Sequence, residues 1–249
     1  MKKLNYEFIG KALWFPVEKV LVIADLHIGY EEVLNRMGIF VPRNQFDEII
    51  SDLDKIFAKI GKAKEVIICG DLKHNFGSIL EQEWGETLKL IDYLGERCGK
   101  IVLVKGNHDK ILEPIARRRG ILFVESYIKE VGGKKTAFIH GSFLLGKETK
   151  PCELKDVKRI VMGHKHPAVM ISDKYKQEKY KCFLVGKWKG NEVIILPSFF
   201  PLIEGSSSED SDSENFLFIP DRELEKFDVY AIGEEVYKFG KLRDIKRLD

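Results

Sequence analysis

The sequence lacks any apolar run approaching the roughly 20 residues that a membrane-spanning helix requires. Its first residues, MKKLNYEFIG, are charged, and no apolar signal core follows them. Cysteine is scarce, because only Cys69, Cys98, Cys152 and Cys182 occur and none forms a CxxC pair. This wide spacing argues against a disulfide framework and fits a reducing compartment. We therefore expect a cytoplasmic protein that does not associate with membranes.

The chain also lacks a strong excess of charge of either sign. Its 41 basic and 39 acidic residues leave a formal net charge of +2, which by itself does not indicate nucleic-acid binding. Acidic charge is concentrated in the serine-rich residues 205–214. This composition predicts a mobile surface loop, and the alternative is a lid or regulatory segment near the site.

Helical periodicity is present in the first half of the chain. Apolar residues recur at spacings of three and four across residues 43–60, which predicts a helix with one apolar face. The same spacing between Trp84 and Leu94 predicts a second helix that ends at Gly95.

Short apolar runs precede Asp25, Asp71 and Asn107, and alternate with these helices as parallel strands with helical crossovers do. In the second half hairpin signals dominate, including one between runs at residues 183–188 and 193–196. The sequence therefore predicts an α/β fold of two mixed sheets packed together with helices outside. No composition break marks a linker, so residues 1–249 are expected to form a single domain.

Every histidine of the chain lies in or just after a short apolar run. The six are His27, His74, His108, His140, His164 and His166. Because an open α/β sheet builds its site at the carboxyl ends of buried parallel strands, we expect these side chains to converge there. Imidazole, carboxylate and amide groups without thiolates suit Mn, Fe or Zn.

The number of candidate ligands favours two ions over one. The candidates are Asp25, His27, Asp71, Asn107, His140, His164 and His166, whereas a single tetrahedral site needs only three or four. Two ions about 3.5–4 Å apart, sharing one carboxylate, suit in-line attack of a metal-bound hydroxide on phosphorus. His108 is then left as a general acid or charge stabiliser near the leaving group, and Asp109 could orient it.

Five motifs, DLH, GDLKH, GNHD, a lone His140 after a strand, and GHKH, follow one another between Asp25 and His166. In this order they resemble the motifs of calcineurin-like metallophosphoesterases. The resemblance implies a fold of two mixed β-sheets flanked by helices. It also implies two divalent metal ions, with Mn as the expected metal and Fe, Zn, Co or Ni as alternatives.

The resemblance further implies a distribution of the ligands. The first ion would be held by Asp25, His27, Asp71 and His166. The second would be held by Asp71, Asn107, His140 and His164, so that Asp71 bridges. His108 would be the catalytic histidine.

His74 is not needed to fill either metal shell. We assign it a catalytic, substrate-facing or supporting role, and an inert residue is the alternative. The form GDLKH, together with ADLHIGYE and GHKHPA, is similar to archaeal Mre11/SbcD-related and ligase-associated phosphoesterases. This similarity favours a phosphodiester substrate such as nucleic acid or a nucleotide. Phosphomonoesters or cyclic nucleotides are the alternative substrates, and a catalytically idle scaffold for a nucleic-acid-processing partner is an alternative role. The sequence does not indicate an oligomeric state.

Overall fold

A computed structural model describes residues 4–75, 81–109, 111–142, 156–172, 176–202 and 219–245. The strands in these ranges are β1 (Glu7–Ile9), β2 (Ala12–Phe15), β3 (Val20–Ile23), β4 (Glu65–Cys69), β5 (Ile101–Val104), β6 (Leu122–Val124), β7 (Tyr127–Val131), β8 (Lys134–Ile139), β9 (Arg159–Met162), β10 (Ala168–Ser172), β11 (Gln177–Trp188), β12 (Asn191–Ile195), β13 (Asp228–Ile232) and β14 (Val236–Lys241). The helices are α1 (Tyr30–Arg36), α2 (Gln45–Ile60), α3 (Glu81–Arg97), α4 (Glu113–Arg118), α5 (Asp221–Leu224) and α6 (Leu242–Ile245). None of these helices has both the length and the apolar composition needed to cross a membrane. The acidic residues 205–214 lie outside the described ranges.

Within the described residues the strands form two sheets. The six-stranded sheet has the order β1-β2-β3-β4-β5-β6, and β3 to β6 run parallel. The eight-stranded sheet has the order β14-β13-β11-β12-β9-β8-β7, with β10 paired to β11 and with β8, β9 and β12 parallel. The predicted α/β fold of two mixed sheets flanked by helices is therefore confirmed.

The core explains why the parallel strands are continuous apolar runs. Successive side chains of a strand point to opposite faces of its sheet. Val20 and Val22 of β3 pack in the cluster between the two sheets, whereas Leu21 and Ile23 pack against helix residues. Because both faces of β3 are buried, the run has no polar positions.

Two elements differ from the sequence-based prediction. Helix α3 continues through the exposed Gly95 to Arg97. A glycine there costs about 1 kcal/mol relative to alanine, and the burial of Ile91 and Leu94 on the same helix offsets it. Strand β11 begins at Gln177 rather than near residue 183, because its first part pairs with β10.

Candidate metal centre

The predicted site residues follow the carboxyl ends of parallel strands from both sheets. They come after β3 (Asp25, His27), β4 (Asp71), β5 (Asn107), β8 (His140) and β9 (His164, His166). Since the parallel strands of each sheet end at one edge, the structure brings these side chains to a common place at which the two sheets meet.

The backbone at this place is strained. Among the described residues, eight that are not glycine have a positive φ, and five of them are candidate ligands: Asp25 (55°), His27 (45°), Asp71 (49°), His164 (68°) and His166 (48°). The left-handed conformation is disfavoured by about 1–2 kcal/mol for a residue that carries a Cβ. Such strain concentrates at functional sites, where the surrounding structure holds the backbone in place.

A first group of candidate ligands consists of Asp25, His27 and His166, whose ligand atoms all lie within 4.8 Å of one another. Nε2 of His27 is 3.2 Å from Nε2 of His166, and the latter is 3.5 Å from Oδ1 of Asp25. All three side chains are largely buried.

A second group consists of Asp71, His140 and His164, again within 4.8 Å of one another. Nε2 of His140 lies 3.1 Å from Nδ1 of His164 and 2.9 Å from Oδ1 of Asn107. Oδ2 of Asp71 is 3.3 Å from Nε2 of His140 and also 3.9 Å from Nε2 of His27. Asp71 thus lies between the two groups.

The donor set of both groups fits divalent cations. Pairs of imidazole nitrogens face each other at 3.1–3.2 Å in a buried space that also holds carboxylate oxygens. When two imidazole nitrogens share a hydrogen bond, only the acceptor nitrogen uses its lone pair. A cation between them would be bound by the lone pairs of both nitrogens. Mixed nitrogen and oxygen ligands of this kind suit borderline ions such as Mn, Fe or Zn.

Backbone groups orient the candidate ligands. The N–H of His164 donates to both carboxylate oxygens of Asp25 at 3.1 and 2.9 Å, and the N–H of His108 donates to Oδ1 of Asp71 at 3.0 Å. Nδ1 of His140 lies 3.0 Å from the carbonyl oxygen of Cys69, which accepts its proton. This bond leaves Nε2 of His140 facing Asp71 and is the usual way in which a metal-binding imidazole is oriented.

Two glycines in the motifs are required by close approach. A Cβ on Gly70, which has a φ of 82°, would lie 2.3 Å from Nδ1 of His140. A Cβ on Gly106 would lie 2.2 Å from Oδ1 of Asp71. A side chain at either position would therefore displace a candidate ligand.

His108 lies beside the two groups and is held by the backbone of the GDLKH motif. Its Nδ1 donates to the carbonyl oxygen of His74, so that Nε2 faces the centre, 3.8 Å from Oδ2 of Asp71. The carboxylate of Asp109 is fully buried and accepts from the N–H groups of Leu72 (3.0 Å), Lys73 (3.4 Å) and Gly106 (3.0 Å). Asp109 therefore ties together the loops that carry Asp71 and His108.

The pKa values of the histidines follow from burial and from their neighbours. Burial and the adjacent imidazole of His140 lower the pKa of His164 to about 3, and burial and His108 lower that of His74 to about 4. Burial alone would also lower the pKa of His140, but the carboxylate of Asp71 outweighs it and raises the value to about 9. At neutral pH the imidazoles of His164 and His74 are therefore uncharged, which is the form in which histidine binds a metal ion.

Several contacts at the centre had no signal in the sequence. The ring of Tyr30 lies 4.3 Å from that of His74 and 5.5 Å from that of Phe200, which makes an aromatic wall. Oε1 of the buried Glu83 accepts from the N–H of His74 at 3.0 Å. Lys73 is fully buried, although lysine side chains are rarely buried without a partner. These residues come from separate parts of the chain, and no local pattern links them.

The segment after β12 holds the backbone of Asp25 through hydrogen bonds. Oγ of Ser198 donates to the Asp25 carbonyl oxygen at 2.9 Å, and the N–H of Phe200 donates to the same oxygen at 3.2 Å. The side-chain nitrogen of Lys181, whose pKa burial lowers to about 7, in turn donates to the carbonyl oxygens of Ser198 (3.1 Å) and Phe200. Lys11 donates to the carbonyl oxygen of Phe199 at 2.9 Å. The two lysines therefore hold the backbone on which Asp25 rests.

Residues 18–232 match the protein family described as Calcineurin-like phosphoesterase. No curated protein matches the chain.

Among solved structures, the nuclease MPE from Pseudomonas putida has the same fold, with a TM-score of 0.61 and 19% identity over 94% of this chain and 100% of that chain. Vacuolar Protein Sorting 29 from Cryptosporidium parvum matches at a TM-score of 0.42 and 17% identity, over 94% and 100% of the two chains. The phosphoesterase Yfce from E. coli matches at 0.39 and 16%, over 72% and 77%.

Proposed function

The chain belongs to the calcineurin-like phosphoesterase family and is a metal-dependent phosphoesterase; on this premise we propose that it hydrolyses phosphodiesters at a centre of two divalent ions. The position of Asp71 carries the proposal. One oxygen of its carboxylate is 3.3 Å from a nitrogen of the second group and 3.9 Å from a nitrogen of the first. A carboxylate in that position can serve two ions at once.

The two ligand sets follow from these contacts. Asp25, His27 and His166 would hold one ion, and Asn107, His140 and His164 would hold the other, with Asp71 common to both. Bound divalent ions at such a centre supply a water of lowered pKa and neutralise the oxygens of the phosphoryl group. Mn is the ion with which we would test the centre first.

The other motif residues position the reacting groups. The His74 carbonyl accepts the Nδ1 proton of His108, so that Nε2 faces the space beside Asp71. Burial lowers the pKa of His108, and Nε2 can donate to the leaving-group oxygen when the ring is in its doubly protonated imidazolium form. Asp109 keeps the two loops in register through its three backbone contacts. The His74 side chain packs with Tyr30 at the edge of the centre, and there we assign it contact with the substrate.

Two observations support a diester, and in particular nucleic acid, as the substrate. The GDLKH motif is similar to the form found in Mre11/SbcD-related enzymes. The structure from Pseudomonas putida, which shares the fold, is described as a nuclease.

A substrate panel tests the proposal. We expect the Mn-reconstituted protein to hydrolyse bis(p-nitrophenyl) phosphate and single-stranded DNA at least about tenfold faster than p-nitrophenyl phosphate or a cyclic nucleotide. Asp71→Asn serves as the control that assigns each activity to this centre. Preference for the monoester or the cyclic nucleotide would replace the diester assignment, and the absence of activity on all substrates at full metal occupancy would favour the scaffold role.

Removal of the side-chain nitrogen of Lys181 should weaken metal binding. In Lys181→Met the carbonyls of Ser198 and Phe200 lose a donor, so the backbone that supports Asp25 loosens. Loss of an outer contact to a metal ligand costs about 10- to 100-fold in affinity, and we expect about tenfold here by calorimetric titration with Mn. Lys59→Met, on the exposed face of α2, is the matched control, and Lys181→Arg should recover most of the affinity. Equal affinities in Lys181→Met and Lys59→Met would show that the lysine plays no part in positioning.

A further inference from the structure

A cavity of about 650 Å³ lies at the end of the fold opposite the metal centre. Among its lining residues are Lys134, the first residue of β8, and Glu192, near the start of β12. The metal-centre residues instead follow the carboxyl ends of the parallel strands. The segment from Lys134 to His140 alone spans about 20 Å. The cavity lining and the metal centre have no residue in common.

One wall of the cavity is part of the face of the eight-stranded sheet that packs against the smaller sheet, here called the inner face. In the cavity this face carries charged side chains. Val185 packs against the core between the sheets, and its partner across the β11–β13 pair is Asp228. Asp228 pairs in turn with Lys241 of β14. Because residues directly opposite each other share a face, this face changes from apolar to charged as it passes beyond the core.

The same change occurs along β11, where Lys187 follows Val185 on that face and pairs with Glu192 of β12. Leu4 and Tyr6, just before the edge strand β1 of the smaller sheet, close the cavity on the other side. The smaller sheet therefore leaves this part of the inner face uncovered.

The lining carries more positive than negative charge. It contains two carboxylates and five lysines: Lys134, Lys187, Lys226, Lys238 and Lys241. Glu192 is paired with both Lys134 (2.9 Å) and the buried Arg159 (2.6 Å).

Asp228 is likewise paired with both Lys241 (2.9 Å) and Lys238 (3.3 Å). Lys226 is paired with Glu223, which lies outside the lining, at 2.9 Å. Each of the two lining carboxylates is therefore shared between two cations, and these contacts hold the ammonium groups of Lys134, Lys238 and Lys241 at the cavity wall.

We propose that this cavity binds a small anion with adjacent phosphate groups, of the pyrophosphate type. Its volume lies in the range of about 300–1,000 Å³ that is typical of small-ligand sites. Several ammonium groups around one cavity favour a compact, highly charged ligand over a single carboxylate. Leu4 and Tyr6 bound the cavity on one side and the eight-stranded sheet on the other, and a site of this limited extent suits a small ligand better than a polymer.

Calorimetric titration with pyrophosphate tests the proposal, in a buffer with EDTA so that no metal mediates binding. We expect saturable binding that weakens with added salt. The double variant Lys187→Gln/Lys241→Gln should bind at least about tenfold more weakly, and Lys238→Gln should give a smaller loss. Lys59→Gln/Lys62→Gln, which removes the same charge from an exposed surface, should bind as the unmodified protein does.

Three results would overturn the proposal. These are no binding at millimolar pyrophosphate, equal losses in the two double variants, and loss of binding in Asp71→Asn, which would place the ligand at the metal centre. An oligothymidylate that bound more tightly than pyrophosphate, and lost affinity in the same variants, would replace the small ligand by a nucleic-acid backbone. Melting temperatures measured for each variant separate a local loss of charge from unfolding.

Discussion

Asp71→Asn is expected to lower metal-dependent phosphodiester hydrolysis by about a thousandfold or more, equivalent to about 4 kcal/mol of transition-state stabilisation. The carboxylate oxygen between the two ligand groups would be replaced by an amide, which carries no charge and has only one oxygen. The substitution keeps the size of the side chain, and the amide oxygen can still accept the N–H bond that His108 now makes to Oδ1. The loss should therefore appear in chemistry and metal binding rather than in folding.

The measurement combines steady-state hydrolysis with the number of Mn ions bound per chain. We expect fewer than two ions in Asp71→Asn and a full complement in Asp92→Asn, an exposed carboxylate on α3. Asp92→Asn should also keep its activity. Undiminished turnover in Asp71→Asn with two ions bound would show that Asp71 does not bridge them.

His108→Ala should reduce kcat by about 10²- to 10⁴-fold, which is the usual contribution of a positioned general acid. His108 lies outside both ligand sets, so this variant should retain its metal ions. The rate loss and the metal content together distinguish His108 from His27 or His140, whose removal should lower both.

The leaving group provides the sharper test of the role of His108. A p-nitrophenolate leaves without a proton, whereas the alkoxide of a DNA strand needs one. If Nε2 of His108 supplies that proton, His108→Ala should impair DNA cleavage far more than hydrolysis of bis(p-nitrophenyl) phosphate. Equal losses on both substrates would instead assign His108 to stabilisation of charge on the phosphoryl group.

Much of the fold could be predicted because its signals are local. The apolar run before Asp25 reports burial of both faces of β3, and the spacing of apolar residues in α2 reports one buried face. The end of α3 could not be read in the same way. Gly95 is a common helix terminator, but burial of the apolar face of α3 carries the helix past it to Arg97.

The candidate site shows the same division. Motif order identified which side chains come together within each sheet, since the parallel strands of a sheet end at a common edge, but the meeting of the two edges depends on how the sheets pack. It did not show that the His74 carbonyl would hold His108, or that Asp109 would bond to the backbone of Leu72 and Gly106. Those contacts depend on how two loops pack against each other.

By itself, the sequence determined the alternation of strands and helices and the set of residues that could bind metal. These properties depend on periodicity and on short motifs, which act within a few residues. The tertiary structure alone decided that Asp71 lies between two ligand groups and that Lys181 supports the segment beneath Asp25. It also decided that the charged part of the inner face of the eight-stranded sheet is left uncovered and lines a cavity. Each of these depends on how the two sheets and their loops meet, and that packing joins residues far apart in the chain.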